Sequence, residues 1–132
     1  MTDLHIPRHW RYRLLGVLDA PSDLSTPNDE DLRFLQAWFQ SEGGAAQYNP
    51  LNTTFNLQGS WNYNDSGVKN YRTALDGICA TALTLQLSYY YSIATALKDG
   101  STTAENIVRT CRTAIVTWGT NPDTMLGVLK SI

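Results

Sequence analysis

A carboxylate stands where a hydrophobe is due. Leu35, Trp38, Phe39 and Glu42 follow the spacing i, i+3, i+4, i+7, which is one face of a helix. Glu42 closes that face, and Gly43-Gly44 follow it directly. A carboxyl group drawn out of water favours its neutral, proton-carrying form. A neutral carboxylic acid near pH 7 is what a general acid requires. Glutamates at helix ends beside glycines are usually just solvated. The apolar stripe behind Glu42 lifts the acid reading above that default.

The elements that would position Glu42 announce themselves by start and stop signals. Thr26-Pro27 opens a helix, with Thr as N-cap and Pro at the first helical position. Asp29, Glu30 and Asp31 fill its first turn, where negative charge suits the helix dipole. The helix runs to about Glu42, and the two glycines stop it. Upstream, residues 7–18 predict a short helix with Trp10, Leu14, Leu15 and Leu18 on one side, then a loop over 19–23. Residues 49–72 are rich in Asn, Thr, Gly and aromatic side chains. They predict a small irregular sheet with extended segments over 52–56, 60–63 and 68–71, and a turn at Asp65-Ser66-Gly67.

Helices then resume. Thr73 caps one through about Leu85, and Ser88 starts another that Asp99-Gly100 closes. Thr102-Thr103-Ala104-Glu105 reads as a capping box. It opens one long helix with Ala104, Ile107, Val108, Cys111, Ala114, Ile115 and Trp118 on a single stripe. Asn121-Pro122 begins the last helix, with Met125, Leu126 and Leu129 inward. The expected fold class is α+β and mostly helical, a single domain over 1–132 with a β lobe at about 49–72.

Bulk composition narrows the function classes. With 132 residues, 42% hydrophobic and 17% charged, the chain suits one folded globule and not a disordered segment. A net charge of −2 and a pI near 5.5 leave no global basic field for nucleic acid or an anionic membrane. Arg8, Arg11 and Arg13 cluster with His5 and His9. That cluster reads as a solvated helix face ahead of a local contact to an anionic cell-wall polymer. No apolar run approaches the ~18 residues that span a bilayer, so no membrane insertion is expected. The first 20 residues lack the apolar block of a signal peptide. Cys79 and Cys111 sit in no metal-binding spacing. Two buried thiols are expected, with one disulfide between helices as the lesser alternative. No metal or cofactor is called for.

The order of these features carries a resemblance. A helix ending in Ser41-Glu42-Gly43-Gly44 is followed by Asn49-Pro50-Leu51-Asn52-Thr53-Thr54, a small hairpin, and Gly67-Val68-Lys69-Asn70-Tyr71 leading into a helix. With Phe34-Leu35-Gln36-Ala37-Trp38 before and Thr117-Trp118-Gly119-Thr120 after, this resembles the lysozyme superfamily. It is most similar to small lysozyme-like domains of phage tail and lysis proteins, and also to goose-type lysozymes, glucosaminidases and lytic transglycosylases. It covers about residues 26–120. The resemblance implies a lysozyme-like fold with the β lobe after the catalytic-glutamate helix, and a peptidoglycan glycan strand as partner. Glu42 would protonate the oxygen of a β-1,4 link. Asn52, Thr53 and Thr54 would meet sugar acetamido groups, Tyr71 would bond across the reacting sugar, and Trp61 would stack on a sugar face. Two-carboxylate hydrolysis needs a second group ~5–9.5 Å from the acid. Asp65 on the hairpin turn is the candidate second acid, although Asp-Ser-Gly is also ordinary turn chemistry. Asp76 reads as a surface residue. A phage virion tail, or a host cytoplasm before release to the wall, is the implied location, with other phage tail proteins as further partners.

Two functions follow from these observations. One is a peptidoglycan glycosidase in which a lone glutamate is helped by water or by the substrate's own acetamido group. The other is a non-catalytic glycan-binding or structural tail module, kept open by the want of a clear second carboxylate. A nucleic-acid binder fits the charge balance poorly.

Overall fold

The computed structural model describes residues 8–18 and 29–132, with side chains from residue 13 onward. Seven helices and one hairpin are found among them. These are α1 (Arg8–Val17), α2 (Asp29–Glu42), β1 (Trp61–Asn62), β2 (Lys69–Asn70), α3 (Ala74–Leu85), α4 (Tyr91–Asp99), α5 (Ala104–Thr110), α6 (Arg112–Trp118) and α7 (Pro122–Ser131). The class is α+β and mostly helical, as the sequence predicts. The Thr26-Pro27 start signal and His5 lie outside the described residues, as do the side chains of Arg8, His9, Trp10 and Arg11.

Helix α2 is the centre of the packing because residues 34–39 are buried on every side. Leu32, Phe34, Leu35, Ala37, Trp38 and Phe39 are all buried. It packs chiefly against α7 and α5, while α1 lies on α3. Ile78, Leu85, Ile93, Leu97, Ile107, Val108, Ile115, Met125 and Leu129 complete one continuous core with it. At the rim, Arg33 ties three helices together. Its guanidinium donates to Glu30 at 2.9 Å, to both oxygens of Glu105 at 3.2 and 3.1 Å, and to the Leu129 carbonyl at 3.3 Å. Hydrogen bonding from Arg33 holds the Glu105 carboxyl below its usual range.

Asp31 in the first turn of α2 is fully buried. Burial, and then the charges of Asp99 and Glu30, push its carboxyl from 3.8 up to about 7. An acid whose folded value lies above its unfolded one holds its proton more tightly when folded. Its favourable contribution is complete below about pH 4 and is lost as pH rises toward 7. Asp31→Asn is neutral throughout, so it should melt higher than the parent at pH 8 and no higher near pH 4. Melting curves of both proteins by circular dichroism across that range check this. The Arg33–Glu105 pair acts in the opposite sense toward acid, but it is common to both proteins and cancels in the difference.

Several start signals hold. The Thr73 hydroxyl accepts from the Asp76 amide at 3.0 Å, and Asn121 accepts from the amides of Asp123 and Thr124 with Pro122 opening α7. Gly100 ends α4 in the left-handed region at φ 64°. Others need correction. The capping box at 102–105 does not form, because Glu105 is taken by Arg33. The N-cap is Thr103, accepting from Asn106 at 3.1 Å, while Thr102 takes the Asn106 side chain. The single helix over 104–118 is interrupted at Cys111, where ψ reaches 19°. Thr110 bonds back to the Asn106 carbonyl at 2.9 Å, and the Cys111 thiol points at the Ser92 carbonyl. Residues 88–90 form a turn, so α4 begins at Tyr91 and not at Ser88.

The β lobe is also less regular than its aromatic and β-branched content suggests. In the hairpin Trp61–Asn70 and Asn62–Lys69 pair, antiparallel; Ala46 and Asn49 form an isolated bridge, and 52–56 is not a strand. Asn49 takes the place of a ladder there. Its side-chain amide donates to the carbonyls of Thr53 at 2.8 Å and Lys69 at 2.7 Å, while its oxygen accepts from the Thr53 amide at 2.8 Å. Both cysteines are free thiols. Cys111 is buried and Cys79 half-buried, so the expectation of two fully buried thiols holds for one of them.

Candidate active site

Three segments meet at the C-terminal end of α2. The helix delivers Glu42 half-buried, one turn beyond the buried Trp38 and Phe39. The loop after the glycines delivers Asn52, whose backbone is left-handed at φ 58°. Asn is among the few non-glycine residues that tolerate this region, and the turn aims its side chain back at the helix end. The turn between α6 and α7 delivers Thr120, buried just after Gly119.

Both carboxyl oxygens of Glu42 are engaged. Oε1 accepts from the Asn52 amide at 2.9 Å, and Oε2 accepts from the Thr120 hydroxyl. The Asn52 amide also reaches the Glu42 main-chain carbonyl at 3.4 Å, one of the orphan acceptors at the helix end. Behind this pair lies an aromatic wall. The fully buried Trp38 indole donates to Thr120 Oγ1 at 2.9 Å, and the Trp118 indole donates to the Leu51 carbonyl at 2.9 Å. The two rings meet edge to face with centroids 4.9 Å apart, and Tyr90 packs on Trp118 at 4.8 Å. Trp118 was expected to be core; it is half-buried and also pins the loop that carries Asn52.

The other expected binding residues divide between surface and interior. Thr54 is exposed, and Trp61 is 47% exposed on the hairpin beside an equally exposed Tyr63. Two expectations are corrected by burial. Thr53 is buried, with its hydroxyl 3.2 Å from that of Thr81, so it cannot greet a sugar. Tyr71 is fully buried and donates to the Phe55 carbonyl at 2.6 Å, so it cannot bond across one. Burial pushes its phenol up to about 12. Tyr71 is an anchor for the irregular segment, satisfying a carbonyl that no strand satisfies. Tyr71→Phe should therefore cost about 1 kcal/mol or somewhat more. A lowered urea midpoint is the expected result.

Asp65 is exposed on the hairpin turn, and Asp76 pairs with Arg72 at 3.5 Å at the start of α3. Neither bonds to the Glu42 carboxyl, whose protein partners are an amide and a hydroxyl. Of Tyr89, Tyr90 and Tyr91, the first and last are exposed, while Tyr90 packs on Trp118. A concavity of about 420 Å³ lies elsewhere, lined by Leu18, Cys79, Leu83 and Lys98, and holds none of these residues. Among the described residues no group of three His, Cys, Asp or Glu side chains could hold a metal, and no helix is long and apolar enough to cross a membrane.

Sequence reasoning missed Thr120 as a partner of Glu42 and Trp38 as its support. The available signal was faint: a polar residue held between a helix-stopping glycine and the Asn-Pro start of the next helix. Neither a protein-family model, nor a curated protein, nor a solved structure matches the chain.

Proposed function

We propose that the chain is a peptidoglycan-degrading glycosidase of lysozyme-like fold, a phage lysin or virion-associated enzyme. Glu42 protonates the glycosidic oxygen of a β-1,4 link in the glycan. The observation that carries the reading is the Glu42 carboxyl, half-buried at a helix end and held on each oxygen by a neutral donor. A group so fixed is oriented for proton transfer without the cost of ordering it at the moment of reaction. The exposed Trp61, Tyr63 and Thr54 of the neighbouring lobe offer stacking faces and a hydroxyl to a glycan strand. With no second carboxylate on Glu42, the second role falls to water or to the acetamido group of the substrate. Asp65 is the runner-up for it.

Incubation with purified peptidoglycan, followed by mass spectrometry of the soluble fraction, tests the proposal. Sugar fragments with either reducing or anhydro ends support it and tell hydrolysis from transglycosylation. The second reading, a glycan-binding or structural tail module, is favoured by the same neutral surroundings of Glu42 and by the exposure of Asp65. Retention on insoluble peptidoglycan with no fragment released would select it.

A further inference from the structure

We propose that Thr120 is the positioning residue of Glu42, its hydroxyl fixing the plane of the carboxyl group from an anchor on the Trp38 indole. The proposal rests on the reading of Glu42 as the acid, and its test separates the two. A hydroxyl has one hydrogen and two lone pairs, whereas an indole N–H can only donate. The Trp38 Nε1–H therefore occupies one lone pair of Thr120 Oγ1, and the hydroxyl hydrogen is left for Glu42 Oε2.

Each link of this chain is held by its neighbours. Trp38 is fully buried between Phe34, at 5.6 Å, and Trp118, at 4.9 Å. The Thr120 amide donates to the Ile115 carbonyl at 3.1 Å, and Gly119 before it turns at φ 106°. A β-branched side chain has few χ1 choices, so the hydroxyl position follows from the backbone. Asn52 holds the other oxygen from a left-handed backbone.

The two partners are not equivalent. The Asn52 amide only donates, so it serves Glu42 as an acceptor. The Thr120 hydroxyl donates to Oε2 of the carboxylate and equally to Oε2 of an acid whose proton sits on Oε1, so it need not take up the proton that the substrate must receive. It can therefore keep hold of Glu42 before and after the proton leaves, with the Trp38 bond unbroken.

Steady-state assay of glycan release and indole NMR test this together. Thr120→Val keeps the volume and loses the hydroxyl. It should lower kcat by about 10–100-fold with KM unchanged, since a misplacement near 1 Å costs on the order of 10²-fold. Thr120→Ser should recover most of the loss. Independently of any cleavage, Glu42→Gln should move the Trp38 indole ¹H–¹⁵N resonance when Thr120 is present and leave it in place in a Thr120→Val background. Should Thr120→Val fail to fold, Thr120→Ala carries the same comparison. A Trp38 resonance that responds equally to Glu42→Gln with and without Thr120 overturns the proposal, as does a Thr120→Val enzyme with the parent kcat. An intact NMR coupling in a protein that cleaves no peptidoglycan supports the positioning and overturns the acid reading instead.

Discussion

Glu42→Gln should abolish glycan release while leaving the protein at least as stable as the parent. The substitution removes an ionisable proton and keeps the shape. The amide oxygen can still accept from Asn52 at the Oε1 position, and the amide nitrogen can donate to the free lone pair of Thr120. The side chain keeps its length and shape, so the packing of its stem is kept. The hydrogen-bond pattern thus survives with one rotation of a hydroxyl. What does not survive is a transferable proton, because an amide near neutral pH gives none up. Positioned general acids contribute about 10²–10⁴-fold, and a lone acid has no second carboxylate to mask its loss. Fragment release measured by mass spectrometry should fall by that factor, with the melting temperature level or raised. A Glu42→Gln protein that still cuts peptidoglycan would end the reading of Glu42 as the acid.

This contrast between stability and activity also separates the two functions. In a glycan-binding module Glu42→Gln should change retention on peptidoglycan by no more than one hydrogen bond's worth. In an enzyme it changes turnover by orders of magnitude and retention hardly at all. Thr53 and Tyr71 make the complementary case. Buried as they are, they can alter turnover only by altering the fold.

How legible the site was in the sequence depended on how local each interaction is. Glu42 was readable because its setting is one helix. The stripe of Leu35, Trp38 and Phe39 and the glycine stop lie within ten residues of chain, and the structure buries all three hydrophobes. The caps at Thr73 and Asn121 were readable for the same reason. Thr120 was not, since its bond to Glu42 spans 78 positions and exists only once α6 and α7 have docked on α2. The capping box failed for a related cause. Glu105 suits the local motif, but Arg33, 72 positions away, offers a charged donor with two contacts in place of one backbone amide. In the β lobe, β-branched and aromatic residues suggested strands where Asn49 and Tyr71 instead satisfy the backbone one carbonyl at a time. A residue that can bond either its own backbone or a distant one is decided by tertiary structure.

Gly77→Ala should be the most damaging single substitution outside the site, although it sits in a helix where Ala is intrinsically better by about 1 kcal/mol. A Cβ built at Gly77 in α3 would lie 1.9 Å from the Tyr48 carbonyl oxygen and 3.1 Å from its carbon. Those are backbone atoms, and they cannot swing aside as a long side chain would. Tyr48 already holds a left-handed φ of 53°, and its neighbours fix it on both sides. The Tyr71 amide donates to the Gln47 carbonyl at 3.0 Å, the Gln47 amide donates to Asn70 at 2.8 Å, and Asn49 clamps Thr53 and Lys69. Either this loop lifts away from α3, or α3 withdraws Ile78, Ala82 and Leu85 from the core. Overpacking of this kind costs on the order of 2–4 kcal/mol, which outweighs the helix propensity. The same loop continues into Leu51 and Asn52, so lifting it also breaks the Trp118 and Glu42 contacts. Urea denaturation of Gly77→Ala should show a much lowered midpoint, and its folded fraction should turn over glycan poorly. Gly127→Ala in α7 is the control, because a Cβ there meets nothing within 4 Å. It should be neutral or stabilising by up to about 1 kcal/mol. If Gly77→Ala behaved like Gly127→Ala, the loop would not be seated on α3, and the support argued for Asn52 would fall with it.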